Sequence, residues 1–112
     1  MSTNNKGFNA DYEEETATFQ QISELQGNTV LEFGAPWCAH CQAAMLAVKE
    51  VLTEHTELSH IKVYDGKGKQ LGRSFKVKLW PTLILLRNGH EIGRIVRPLN
   101  TSQIRQFVSN SH

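Results

Sequence analysis

The chain contains two cysteines, Cys38 and Cys41, three positions apart. On a helix, residues i and i+3 are neighbours, with Cβ atoms about 5–6 Å apart. A disulfide accepts Cα separations up to roughly 6.8 Å, so these two sulfurs can bond and separate with little backbone movement. A bridge closing so short a loop removes almost no chain entropy and cannot staple a fold. The spacing therefore reads as redox or metal chemistry. Position then makes the sulfurs unequal. Cys38 follows Pro36 and Trp37 where a helix should begin, so its sulfur faces unpaired amide N–H groups and the positive end of the helix dipole. Both favour the thiolate, which is the nucleophile. Cys41 lies one turn further on, on the apolar stripe, and is expected to be buried. That asymmetry suits a two-step exchange in which Cys38 attacks a disulfide and Cys41 resolves the mixed disulfide.

Two further residues bear on this chemistry. His40 lies between the cysteines; a partly exposed imidazole there stabilises the thiolate when protonated, although a solvated surface histidine fits the pattern as well. Glu32 is the one charged residue in the apolar stretch Thr29 to Phe33 that leads to the cysteines. In a central strand its carboxyl would be buried and placed to exchange a proton with Cys41, directly or through a water. At a strand end it would simply face solvent. Zinc is the sharpest competing reading, because Cys38-x2-Cys41-x13-His55-x4-His60 has a loose finger spacing. An intact helix from Cys41 to His55 would separate those ligands by roughly 21 Å at 1.5 Å per residue, and zinc binds within about 2.3 Å. No metal and no bound cofactor are expected.

The elements that position these groups follow from periodicity. Residues 1–14 are polar and read as a mobile arm, and 15–112 as one domain. A helix is expected over Thr16 to Gln26, on Phe19, Ile22 and Leu25, stopped by Gly27 and Asn28. A strand follows from Thr29 to Phe33, broken by Gly34, Ala35 and Pro36. From about Cys38 to Glu54, the residues Cys41, Ala44, Met45, Val48, Val51 and Leu52 form a helical stripe. Ile61, Val63 and Tyr64 mark a second strand. Gly66, Gly68 and Gly72 mark a Lys-containing loop before a short helical turn near Arg73 to Phe75. Thr82 to Arg87 is a strand entered through Pro81, Asn88-Gly89 a two-residue hairpin turn, and Glu91 to Val96 its return. After Pro98, Asn100 or Thr101 caps a last helix carrying Ile104, Phe107 and Val108. This order implies an α/β fold, a central mixed sheet with helices on both faces and a hairpin at one edge.

Composition sets the outer limits. A chain of 112 residues and 12.7 kDa is one domain, and its 39% hydrophobic and 21% charged content is that of a folded soluble protein. A net charge of +1 argues against nucleic acid as an obligate partner. The longest apolar run, Leu83 to Leu86, cannot span a membrane. The N-terminus lacks the pattern of a secretory signal, so a cytoplasmic address is expected, and nothing in the sequence demands more than a monomer. Between Lys62 and Arg105, ten Lys and Arg stand against Asp65 and Glu91. A solvated face accounts for most such stretches. A protein-binding or chaperone module with incidental thiols is the competing reading.

The stretch Val30-Leu31-Glu32-Phe33-Gly34-Ala35-Pro36-Trp37-Cys38-Ala39-His40-Cys41, followed by Trp80-Pro81-Thr82 and Asn88-Gly89, resembles the thioredoxin family. Its active-site loop is closer to protein disulfide isomerase domains than to ordinary thioredoxins, which usually carry Gly-Pro between the cysteines. The resemblance covers nearly all the chain after the arm. It implies a thioredoxin fold and a thiol–disulfide oxidoreductase acting on protein disulfides, recycled by a reductase or oxidant. Cys38 would attack, Cys41 resolve, and Glu32 be the buried acid, with Lys62 near the lysine that often accompanies it. Trp37 would shield the pair and, with Pro36 and Ala39, line the docking surface. Pro81 would be the cis-proline, beside which the backbone of Trp80 pairs with an incoming peptide. Trp80 departs from the family's small or β-branched residue, offering either occlusion of the sulfur or a stacking surface. Arg97 falls where thioredoxins carry a glycine; it brings positive charge to the site or is a solvated loop residue. With His40 favouring the thiolate, the expected potential lies above that of thioredoxin, about −240 to −180 mV.

Overall fold

The computed structural model describes residues 7–14, 17–66 and 69–110. Its elements run β1 (Tyr12–Glu13), α1 (Phe19–Ser23), β2 (Asn28–Gly34), α2 (Ala39–Glu54), β3 (Ser59–Tyr64), α3 (Gln70–Ser74), β4 (Thr82–Arg87), β5 (His90–Val96) and α4 (Thr101–Ser109). The strands form one sheet in the order β1-β3-β2-β4-β5. β3 runs parallel to β1 and β2, whereas β4 is antiparallel to β2 and to β5.

β2 is the central strand, and the two-residue alternation of a strand sorts its side chains between two cores. Val30 packs with Leu83, Leu85 and the inner faces of α2 and α4. Leu31 and Phe33 pack on the other side with Ile22 of α1, Leu71 of α3 and Phe75 just after it. The expected mixed sheet with helices on both faces is what the chain forms. Alternation also puts Glu32 and Gly34 on the α2 side, where Cys41 lies.

Local chemistry fixes the ends of the elements. Thr18 and Gln21 cap α1 reciprocally, so the helix starts at Phe19, later than its apolar spacing suggests. Asn100, not Thr101, caps α4, accepting from the Gln103 N–H at 3.0 Å. The hairpin turn has positive φ at both Asn88 (49°) and Gly89 (81°), matching the right-handed twist of its strands. Gly89 is also required sterically, since a Cβ there would lie 2.2 Å from the Ser23 carbonyl oxygen.

The start of the domain differs from the sequence expectation. Residues 7–14, read as an arm, lie against the sheet edge. The Gly7 N–H donates to the Leu58 carbonyl at 2.7 Å, the Asn9 N–H to His60 Nδ1 at 2.9 Å, and Tyr12 and Glu13 pair in register with Lys62 and Val63. The physical reason is burial of two aromatic rings scattered among polar residues: Phe8 packs on His60 and Tyr12 beneath Lys62. Residues 1–6 of that arm, Glu15 and Thr16 ahead of α1, and Lys67 and Gly68 of the Lys-containing loop lie outside the described residues. Among the described residues, no helix is long and apolar enough to cross a membrane.

Candidate active site

The strand β2 and the helix α2 are joined by Ala35, Pro36, Trp37 and Cys38, and this tight connection delivers both sulfurs. Cys38 is the N-cap of α2, and its sulfur accepts the Cys41 N–H at 3.2 Å. One of the helix's unpaired amides is thereby aimed at the first sulfur. Both cysteines are free thiols packed with Ala35 against Tyr64 and Trp80. Burial pushes the Cys41 thiol up to about 12, and its hydrogen bond to Cys38 acts in the same direction. Hydrogen bonds from the Ala35 backbone and the Tyr12 hydroxyl oppose that rise. Cys38 is nearly as covered as Cys41, 8% against 4% exposed. Position in the helix, more than accessible area, separates the two.

Glu32 is buried in the central strand, not at a solvated end. Its carboxyl meets His60 Nε2 at 2.8 Å, with side-chain exposures of 0% for His60 and 4% for Glu32. His60 Nδ1 accepts the Asn9 N–H at 2.9 Å, so the ring proton lies on Nε2 and faces Glu32. Lys62 stands in register beside Glu32, yet its ammonium donates to the Ala10 carbonyl at 3.1 Å and lies 4.1 Å from the Tyr12 ring centre. The partner of the buried acid is thus His60. Near the Cys41 sulfur lies the Tyr12 hydroxyl, the two atoms 2.6 Å and 3.0 Å from where a Cβ on residue 34 would stand. Burial raises the Tyr12 pKa above the usual phenol range, and the charges of Glu32 and Cys41 add to that rise.

The rim is aromatic. Trp37, 62% exposed, donates from Nε1 to the Tyr64 hydroxyl at 2.9 Å. Trp80 donates from Nε1 to Asp65 Oδ2 at 2.9 Å. The two rings meet edge to face, 5.5 Å between centroids. The Trp80–Pro81 peptide is cis. Arg97, at φ 50°, donates from its backbone N–H to the Pro81 carbonyl at 2.9 Å and from Nε to the Trp80 carbonyl at 2.8 Å. Its charge therefore does lie at the rim. Pro36 is exposed and its carbonyl accepts from Gln42 Nε2. Ala39 and His40 are exposed on the first turn of α2, and the His40 side chain makes no hydrogen bond or ion pair with a described residue.

The histidines of the zinc spacing lie elsewhere. α2 is unbroken for 16 residues, which leaves His55 at its far end on Glu57 and His60 on Glu32. No three metal-ligating side chains converge among the described residues. The roles that four residues play in the site, Tyr12, His60, Tyr64 and Asp65, are not legible in the sequence. Gly34 was read only as a strand breaker, yet a Cβ there would lie 2.6 Å from Cys41 Sγ.

A mixed sheet sandwiched by helices, with a Cys-x-x-Cys pair at the mouth of a helix and a cis-proline beside it, defines a dithiol redox domain. The thioredoxin family model matches residues 11–110; the chain belongs to the thioredoxin family. Thioredoxin 2 from Pseudomonas aeruginosa PAO1, in its reduced form, superposes with a TM-score of 0.84 at 42% identity, over 93% of this chain and 96% of that one. Thioredoxin H2-1 of Oryza sativa subsp. japonica is 34% identical over 84 residues, 71% of this chain. Protein disulfide-isomerase of Gallus gallus is 32% identical over 77 residues, 65% of this chain and 15% of that protein. The matched chain spans 61% and 63% of the length of two rice thioredoxins, H2-1 and H2-2.

Proposed function

We propose that the protein is a thiol–disulfide oxidoreductase that needs no bound cofactor and acts as a monomer on disulfides of other proteins. The observation that carries this reading is the Cys38 sulfur at the N-cap of α2, accepting the Cys41 N–H at 3.2 Å. A developing thiolate there is met by an amide already in place. Cys38 attacks one sulfur of the substrate disulfide and releases the other as a thiol. Cys41 then attacks Cys38 and releases the second. Two electrons pass to the substrate and leave Cys38 and Cys41 as a disulfide, which a reductase resets; in reverse the disulfide accepts two electrons from a substrate dithiol, and an oxidant resets it. Glu32, buried on the same side of the sheet as Cys41, is the acid proposed to influence protons there. The tryptophan pair and the Pro81 edge form the docking rim, with the Trp80 backbone receiving the substrate strand. A cytosolic address accompanies this reading as its default setting.

The exposed His40 beside the N-cap supports a potential more oxidising than thioredoxin's, about −240 to −180 mV. Equilibration with glutathione measures it. His40→Pro is expected to lower the potential, and an unchanged value refutes the role of the imidazole. Turnover of a protein disulfide tests the activity itself. Wild type is expected to reduce insulin in the presence of a dithiol, and Cys38→Ser to lose that activity. Equal rates in the two would leave a binding module on this fold.

A further inference from the structure

The resolving cysteine has a neighbour that the dithiol reading does not use. Tyr12 comes from β1, at the edge of the sheet and 29 positions before Cys41 in the sequence. Its hydroxyl and the Cys41 sulfur share the space that residue 34, being glycine, leaves open. A Cβ there would lie 2.6 Å from Cys41 Sγ and 3.0 Å from the Tyr12 oxygen, so both atoms crowd the one spot a side chain would fill. The ring is held in place from above by the Lys62 ammonium at 4.1 Å, itself fixed by the Ala10 carbonyl. Beside this contact lies a cavity of about 190 Å³ bordered by Ala10, Tyr12, Cys41, Gln42, Met45 and Lys62. Gln42 and Met45 are exposed, so the cavity gives solvent a way to the second sulfur.

We propose that the Tyr12 hydroxyl is a catalytic group of the resolving step, donating a hydrogen bond to the Cys41 sulfur as that sulfur becomes an anion. The inference rests on the dithiol reading above. In the step, the Cys41 S–H bond breaks and its proton passes to solvent through the cavity. The Cys41 sulfur bonds to Cys38 Sγ, the bond from Cys38 to the substrate sulfur breaks, and the departing substrate thiolate takes a proton from solvent. Tyr12 keeps its own proton throughout. Its contribution is a donor already close to the charge that develops, in a site where burial opposes that charge. Cys38 has the helix amide; Cys41, whose own amide is turned to Cys38, is served by the Ala35 backbone and by a side chain from another strand.

Tyr12→Phe removes the hydroxyl and keeps the ring beneath Lys62. Rapid-quench trapping with a disulfide substrate separates formation of the mixed disulfide from its resolution. Formation is expected at the wild-type rate. Resolution is expected to slow roughly tenfold at neutral pH, the effect of losing one hydrogen bond to a charged group. Its pH profile should move up by about one unit, a shift that loose packing alone would not produce. An unchanged resolution rate and pH profile overturns the proposal. Titration of the Cys41 thiol in Cys38→Ser, with and without Tyr12→Phe, gives a second measurement that needs no substrate. The pKa is expected to rise when the hydroxyl is removed, and an unchanged value overturns the proposal. A wild type that forms no mixed disulfide refutes the dithiol reading, while that titration still tests the hydrogen bond.

Discussion

Replacing His60 by leucine tests the buried network that ties β2, β3 and the segment before β1 together. The substitution keeps most of the volume and removes two hydrogen bonds at once. One is the 2.8 Å contact to Glu32, between side chains 0% and 4% exposed; the other is the 2.9 Å bond from the Asn9 N–H. Each loss leaves a buried polar group unpaired, the Glu32 carboxyl and the Asn9 amide, at about 1–3 kcal/mol apiece. Allowing for partial relaxation, a loss of about 3–5 kcal/mol is expected, the range found when one partner of a buried pair is removed. Against a domain stability of about 5–15 kcal/mol, that is large. Urea unfolding of the reduced protein reads it as a fall in midpoint at nearly constant slope. Amide exchange at Asn9 should rise in parallel, since its anchor is gone. The double variant Glu32→Leu/His60→Leu should recover much of the loss, because the uncompensated carboxyl is removed with its partner. A cost below about 1 kcal/mol, or a double variant no more stable than His60→Leu, would refute the reasoning.

Three further outcomes follow from other contacts. Gly34→Ala should destabilise the reduced protein by about 1–3 kcal/mol, despite the usual gain of about 0.4–1 kcal/mol for Gly→Ala at a compatible backbone, because its Cβ meets Cys41 Sγ at 2.6 Å; neutral or improved stability in urea unfolding would contradict the close approach. Gly89→Ala should cost at least about 1 kcal/mol, given a φ of 81° and the Ser23 carbonyl 2.2 Å from the new Cβ, and an unchanged urea midpoint would refute it. The Cys41 pKa is raised on folding from 9.0 to about 12, so the unfolded chain loses this proton first. Its contribution is complete below pH 9 and lost as pH rises towards 12, at up to about 1.4 kcal/mol per pH unit. The stability of reduced wild type relative to Cys41→Ser should fall across that range, and a constant difference would mean that the thiol is not held neutral.

What could be read from the sequence followed how local each feature is. The cysteine pair, its helix and the N-cap geometry lie within a few residues of one another. The Asn88-Gly89 turn has a short-range requirement for positive φ. Strand β4 announces itself by a continuous apolar run bounded by Pro81 and Asn88. Composition does not decide the burial of Glu32, because one charged residue in a strand reads the same at an end and at the centre; the flanking β3 and β4 decide it. In the sequence His60 fits only the zinc spacing, since nothing nearby marks it as the partner of a carboxyl 28 positions away. Tyr12 was hidden for another reason. A two-residue edge strand has no periodicity, and its neighbours Asp11, Glu13 and Glu14 give the segment the polar character of an arm.

The two sulfurs are consequently served by different kinds of structure. Cys38 depends on the first turn of α2, which forms from its own residues. Cys41 depends on β1, β2 and β3, through Tyr12, Gly34 and the Lys62 ammonium that steadies the tyrosine ring. Changes in the loop, such as His40→Pro, should therefore act mainly on the attacking sulfur and the potential. Changes at the β1 edge should act mainly on how fast a captured substrate is released. Because β1 is held largely by its pairing to β3 and by the His60–Asn9 hydrogen bond, loosening that edge would slow resolution before it unfolded the domain. That order of events ties the stability of the sheet edge to the second chemical step rather than to the first.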